Sequence, residues 1–305
     1  MVGTEDTLFM KKKVISVLLA TAMICTAFAG CGSSAKETEA PQTEAKAQEE
    51  SDESQESQSV ENTAETEEAK EEASGDTFTV GFDQDFPPMG FVGDDGEFTG
   101  FDLALAAEVA ERLGKEIVYQ PIAWDAKDME LDSGTIDCIW NGFTMNGRED
   151  DYTWSEPYMK NNQVFVVKTD SGISSSADLA GKIVDVQVDS SAEAALNDNP
   201  DLTGTFGQLI TVADYNTAFM DLESGAVDAI AMDDVVASYQ IEKRGADFVV
   251  LDEAIAAEEY GIGFKKGNEE LRDQVQATLE EMAADGTLAE ISTEWFGKDI
   301  TTIGK

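Results

Sequence analysis

The stretch Gly100-Phe101-Asp102-Leu103-Ala104-Leu105-Ala106-Ala107-Glu108-Val109-Ala110-Glu111-Arg112-Leu113-Gly114 decides the fold. A turn glycine and an aromatic precede an aspartate able to cap; apolar residues then recur at three- and four-residue spacing until a second glycine. That spacing predicts an amphipathic helix with glycine at both boundaries. On either side of it, short β-branched runs alternate with helical ones through to a helix over 269–284 and a short one through Trp295. Such alternation predicts parallel α/β units.

An internal echo doubles the pattern. Asp132-Ser133-Gly134-Thr135-Ile136-Asp137-Cys138-Ile139 recurs as Glu223-Ser224-Gly225-Ala226-Val227-Asp228-Ala229-Ile230. Each copy ends a helix on Ser-Gly and enters a strand. The strand 77–82 leading into Asp83 is likewise echoed by 183–188 leading into Asp189. Two similar α/β lobes are expected.

The N-terminal quarter reads differently. Lys11, Lys12 and Lys13 follow Met10 and precede an apolar run over 14–28, the charge-then-apolar order of a secretory signal peptide starting at Met10. The run closes Phe28-Ala29-Gly30-Cys31, which resembles a lipobox and implies that Cys31 becomes the lipidated first residue of the mature chain. Residues 32–75 carry no aromatic side chain and are dominated by Glu, Ala, Ser, Gln and Thr, too polar to bury a core. With the Cys31 anchor, 31–75 reads as a solvated acidic tether to the cell membrane. The folded region is expected over 76–305.

Charge and composition narrow the chemistry. The chain has 20 basic and 63 acidic residues and a formal net charge of −43. Nucleic acid and anionic lipid surfaces repel such a domain. There is no histidine, so Cys-His and Ser-His-Asp catalysis is excluded and a zinc site lacks its usual ligands. Cys138, within an apolar run, is expected to be a buried inert thiol. No cofactor or metal is expected.

The Gly100–Gly114 run, the two-lobe echo and the C-terminal ending through Trp295-Phe296-Gly297 resemble the family-3 bacterial solute-binding proteins, the extracytoplasmic receptors that deliver polar amino acids to ABC importers. The resemblance implies a two-lobed type II periplasmic-binding-protein fold whose lobes are joined by two crossover strands, here 162–168 and 259–265. Lobe 1 would combine about 76–167 with 258–305, and lobe 2 would span about 168–257. It also implies that the chain is a monomer, that its partners are a polar amino acid and the permease of an ABC importer, and that no bond is broken.

Ligands in such folds sit at the carboxyl ends of strands. After the first strand, Asp83 is implied to face the distal end of the ligand side chain, and Phe86 to form a wall opposite Trp124; both rings equally suit core packing. In Asn141-Gly142-Phe143-Thr144-Met145-Asn146-Gly147-Arg148, the family resemblance gives Gly142 a carbonyl contact, Thr144 a hydroxyl contact and Arg148 a forked bond to the α-carboxylate. Asn141 reads either donors or acceptors. Arg148 stands four residues after Thr144 where relatives usually have five, and it also balances Glu149, Asp150 and Asp151. In the second lobe, Gln187 ends a strand and Ser190-Ser191-Ala192-Glu193 reads as a capping box opening a helix. Asp189 stands where relatives have glycine. Asp233 is implied to pair with the α-ammonium, although an aspartate there also caps a helix.

Two other classes share this fold. A cyclohexadienyl-dehydratase-like enzyme needs an acid-base pair in the cleft, and apart from Arg148 no basic candidate stands out. The ligand-sensing domain of a signalling system would continue into membrane and signalling segments.

Overall fold

The computed structural model describes residues 77–245 and 247–305. The expected signal segment, Cys31 and the tether lie outside the described residues. β1 (Thr77–Phe82) leads into a small meander of β2 (Asp85–Phe86), β3 (Gly90–Val92) and β4 (Phe98–Thr99). Next come α1 (Phe101–Leu113), β5 (Glu116–Pro121), α2 (Lys127–Ser133), β6 (Cys138–Ile139) and β7 (Thr153–Trp154). A second series follows: β8 (Met159–Lys168), β9 (Ile183–Gln187), α3 (Ser191–Asn197), α4 (Pro200–Thr203), β10 (Gln208–Val212), α5 (Tyr215–Ser224) and β11 (Ala229–Asp233). α6 (Asp234–Arg244), β12 (Phe248–Val250) and β13 (Ala256–Tyr260) complete that series. The chain then returns with β14 (Gly263–Phe264), α7 (Glu269–Asp285) and α8 (Thr287–Phe296).

These strands form two α/β sheets. The first has the order β5-β1-β6-β14-β7, with β1 parallel to both β5 and β6 and β14 inserted antiparallel between β6 and β7. The second has the order β10-β9-β11-β8-β12, again with a parallel trio, β10, β9 and β11. β13 adds to the edge of β8, pairing Ala256 with Gln163 and Tyr260 with Met159. The whole described region is thus two lobes linked by the chain passages through β8 and β13.

The echo is structural. Gly134 and Gly225, both left-handed, end α2 and α5. In the first lobe Asp137 N donates to Thr79 O (2.8 Å), while Thr79 N donates to the Asp137 carboxylate (2.7 Å). In the second, Asp228 makes the same clamp on Ile183, at 2.8 and 2.9 Å. One aspartate in each lobe therefore fastens a strand to its parallel neighbour.

Two expectations need adjustment. The strand opposite β8 begins at Ala256, not Glu259, because residues 263–264 are claimed by the first sheet. The change of sheet likewise comes at Met159 and not after Val167, since β8 is paired along its length with β11, β12 and β13.

α1 forms as its spacing requires, with Phe101, Leu103, Leu105, Ala106 and Val109 buried and Gly114 closing it in the left-handed conformation. Gly100 is obligatory: φ is 146°, and a Cβ there would lie 2.2 Å from Met89 O. Asp102 is not the cap. It is wholly buried, and its Oδ2 accepts from Gly142 N (2.6 Å) and Tyr158 Oη (2.8 Å). Burial pushes its carboxyl up to about 7. Among the described residues no helix is long and apolar enough to cross a membrane. Cys138 is a buried free thiol.

Candidate functional site

Four parallel strands, two per lobe, aim their carboxyl ends at one place, as α/β topology dictates. β1 delivers Asp83, β6 delivers Asn141 and Gly142, β9 ends on Gln187, and β11 ends on Asp233. Every sequence-predicted binding residue except Asp83 lines the same narrow cavity, which is almost closed, with a free volume of about 10 Å³. Asp83 lies in the adjoining cleft with Val188 and Asp214.

The first-lobe wall is held by Asp102. Its bond to Gly142 N fixes a glycine at φ 57°, where an added Cβ would press on Phe86 (3.0 Å) and Tyr260 (3.1 Å). Asn141 Oδ1 accepts from Asp83 N (3.1 Å), and its buried Nδ2 has no partner. The Phe86 and Trp124 rings both line the cavity but pair elsewhere, Phe86 with Tyr215 and Trp124 edge-on with Phe143. Arg148, half-buried, lies over the Phe143 ring and donates to Thr144 O (3.3 Å) and Asp189 O (3.2 Å).

The second-lobe wall is built on the start of α3. Ser190 Oγ accepts from Glu193 N (3.1 Å), as the expected cap. The reciprocal arm is displaced by one residue, because Glu193 Oε2 accepts from Asp189 N (2.6 Å). Asp189 occupies the left-handed region at φ 57°, the conformation that glycine adopts freely.

The lobes are in contact across the cavity. Gln187 Nε2 donates to Asp83 Oδ2 (2.7 Å), Thr144 Oγ1 to Ser191 Oγ (3.1 Å), and Asn216 Nδ2 to Asp85 Oδ1 (2.8 Å). Burial pushes the Asp83 carboxyl up to about 6 against the opposing pull of the Asp85 amide and the Gln187 side chain. Lys127 Nζ is ion-paired with the Asp189 carboxylate. Lys127 corrects the reading that Arg148 is the sole basic group of the cleft. Its side chain is buried beneath Trp124, so a lysine in an acidic helix that looks solvated in sequence is instead a cross-lobe tie.

Sequence reasoning also missed the polar floor beneath Asp233. Asp233 Oδ1 accepts from Tyr260 Oη (2.5 Å), Gln163 Nε2 (2.8 Å) and Asn161 Nδ2 (3.0 Å). Glu258 Oε1 accepts from the same two amides, at 2.8 and 2.6 Å. Burial, then the neighbouring Glu258 charge, raises the Asp233 carboxyl well above the ordinary range. The available signal was the polar pair Asn161 and Gln163, two residues apart on one face of β8 just ahead of its apolar run from Val164 to Val167. Among the described residues no group of three or more His, Cys, Asp or Glu is arranged to hold a metal ion.

Comparison with known proteins agrees with this architecture. The chain is 36% identical over 228 residues to the L-cystine-binding protein TcyJ of Escherichia coli K12, an alignment covering 74% of this chain and 84% of TcyJ. It is 30% identical to the L-cystine-binding protein TcyA of Bacillus subtilis, covering 73% and 82%. Among solved structures it resembles an ABC uptake transporter substrate binding protein from Streptococcus pneumoniae with bound histidine. The TM-score is 0.73 at 36% identity, covering 75% of this chain and 96% of that one. The sequence profile of one family matches residues 78–298, and the chain belongs to that family, the bacterial extracellular solute-binding proteins, family 3.

Proposed function

We propose that this protein captures a polar L-amino acid outside the cytoplasm and presents it to the permease of an ABC importer, without chemical conversion of the ligand. The convergence of strand ends from both lobes on one polar cavity with two aromatic walls supports this reading most directly. In it, Arg148 forks to the α-carboxylate with help from the Thr144 and Ser191 hydroxyls and a Gly142 carbonyl, while Asp233 takes the α-ammonium. Phe86 and Trp124 bracket the side chain, Asp83 meets its distal end, and Asn141, Gln187 and Ser190 complete the polar lining. The bonds from Gln187 to Asp83 and from Thr144 to Ser191 join the lobes, and a bound zwitterion would take over part of that bridging.

The proposal extends to lipidation at Cys31, the tether over 31–75, lobe 1 as about 76–167 with 258–305 and lobe 2 as about 168–257, adjusted for the sheet membership of β8 and β13. The receptor acts as a monomer. Relatives are named for cystine, and structural neighbours carry histidine, arginine or glutamine, so these four amino acids lead the test. A ligand at a hundred times its Kd adds about 2.7 kcal/mol to stability. For a domain of this size that is a rise in Tm of about 5 to 10 °C. A thermal-shift screen of all common amino acids in which none raises Tm would defeat the proposal.

A further inference from the structure

Asp233, which lines the cavity, is joined behind it to a second acid, Glu258, which lines the groove over the hinge strands. Asp233 and Glu258 are 3% and 5% exposed, and each places one oxygen within 3.0 Å of both the Asn161 and the Gln163 amide nitrogens. The two carboxyl groups thus converge on the same two amide nitrogens. Two buried carboxylates held this close repel one another unless one of them carries a proton. Among the described residues no lysine or arginine is ion-paired with either.

Two buried polar atoms nearby lack partners. Gln163 Oε1, an acceptor on the side chain that joins the two acids, has none. Neither has Tyr215 Oη, although the Tyr215 hydroxyl lies in the field of Asp233, Glu258 and Asp83. Surplus acceptors facing no cation suit an ammonium group with its three N–H donors.

We infer that Asp233 and Glu258 share one proton while the cleft is empty and give it up when a ligand ammonium arrives, so that amino-acid capture is coupled to proton release. This rests on the amino-acid reading above. The charge balances: the pair carries −1 with its proton, and −2 offset by one ammonium after exchange. The ligand keeps its own protons, and the displaced one leaves to water. Its route is the open groove over the hinge strands, which Glu258 lines together with Lys160, Asp234 and Glu259. Facing the pair are the Tyr260 hydroxyl from β13, the Tyr215 hydroxyl from α5 and, across the cavity from Asp233, Arg148. Glu242 of α6 and Lys298 beyond α8 stand farther out along the groove. The cations are thus at the cavity rim or in the open groove, and neither acid has one as a fixed partner.

The test is calorimetric titration of the full chain with whichever of L-cystine, L-arginine, L-histidine and L-glutamine binds most tightly, in buffers of different ionisation enthalpy from pH 5 to 8. Wild type is expected to release close to one proton per ligand while the pair is protonated, its affinity then rising about tenfold per pH unit. In E258Q the release should fall to near zero and the slope should flatten. Wild-type binding with no proton release overturns the inference and leaves the amino-acid reading standing, whether or not E258Q folds. Equal release by wild type and E258Q overturns it too. Failure of all four amino acids to bind removes the basis of both.

Discussion

Asp102 joins the helix whose spacing revealed the fold to the loop that lines the cavity, and replacing it tests both roles. Its Oδ2 satisfies Gly142 N and Tyr158 Oη, and its Oδ1 has no partner. Asp102→Ala leaves two buried donors unsatisfied, at about 1 to 3 kcal/mol each. The expected loss is about 2 to 6 kcal/mol. Asp102→Asn keeps an acceptor and abolishes titration, so its signature is pH dependence. The carboxyl titrates at about 7 in the folded chain against a reference of 3.8. The folded state therefore holds a proton that the unfolded state has released, and this group's contribution to stability falls as pH rises from about 4 to 7 and is constant above. At 1.36 kcal/mol per pKa unit, about 2 to 3 kcal/mol of that fall lies between pH 5 and pH 8. Urea unfolding of wild type and Asp102→Asn at both pH values should show the variant gaining by that amount, relative to wild type, at the higher pH. Parallel stability profiles would refute the assignment of a buried, titrating carboxyl at this position.

Three further outcomes are expected. Arg148→Ala should weaken amino-acid binding by about 2 to 5 kcal/mol in calorimetric titration by leaving the ligand carboxylate unpaired, and equal affinities would return Arg148 to a surface role. Asp233→Asn should lower the affinity of every amino-acid ligand, whereas Asp83→Asn should reorder preferences among them; titration with three ligands separates these patterns, and their reversal would exchange the two roles. Intact-mass analysis of membrane-extracted protein should show a chain beginning at lipidated Cys31, and a different first residue or an unlipidated one contradicts the anchor.

What could be read from sequence was whatever repeats or has short-range grammar. The α1 glycines and the Ser-Gly helix stops were legible because local backbone geometry demands them. The duplicated aspartates 137 and 228 were visible as a repeat before their strand-clamping role was known. Strand-end placement together with the family resemblance allowed ten of the proposed residues to be named before their meeting was observed. Long-range partnership was not legible. Asp102 reads locally as a cap, and nothing near it announces a bond to a glycine forty residues on. Lys127 and Glu258 lie among acids that look solvated, and only tertiary packing buries them. The register of β13 escaped for a related reason: Glu259-Tyr260-Gly261-Ile262-Gly263-Phe264-Lys265 is one extended run in sequence but serves two sheets.

The insertion of β14 between β6 and β7 has a bearing on how the chain assembles. Until residues 263–264 arrive, the first lobe has a gap in its sheet that no earlier segment fills. The second lobe, by contrast, draws all its strands from one uninterrupted stretch, Met159 to Tyr260. During synthesis from the N-terminus, the later-made lobe is thus the first whose hydrogen-bond ladder can be completed. The earlier-made half must wait, partly paired, for the returning tail to close it. Truncation just before Gly263 should accordingly leave one half able to fold and strand the other, making the C-terminal segment the keystone of the N-terminal lobe.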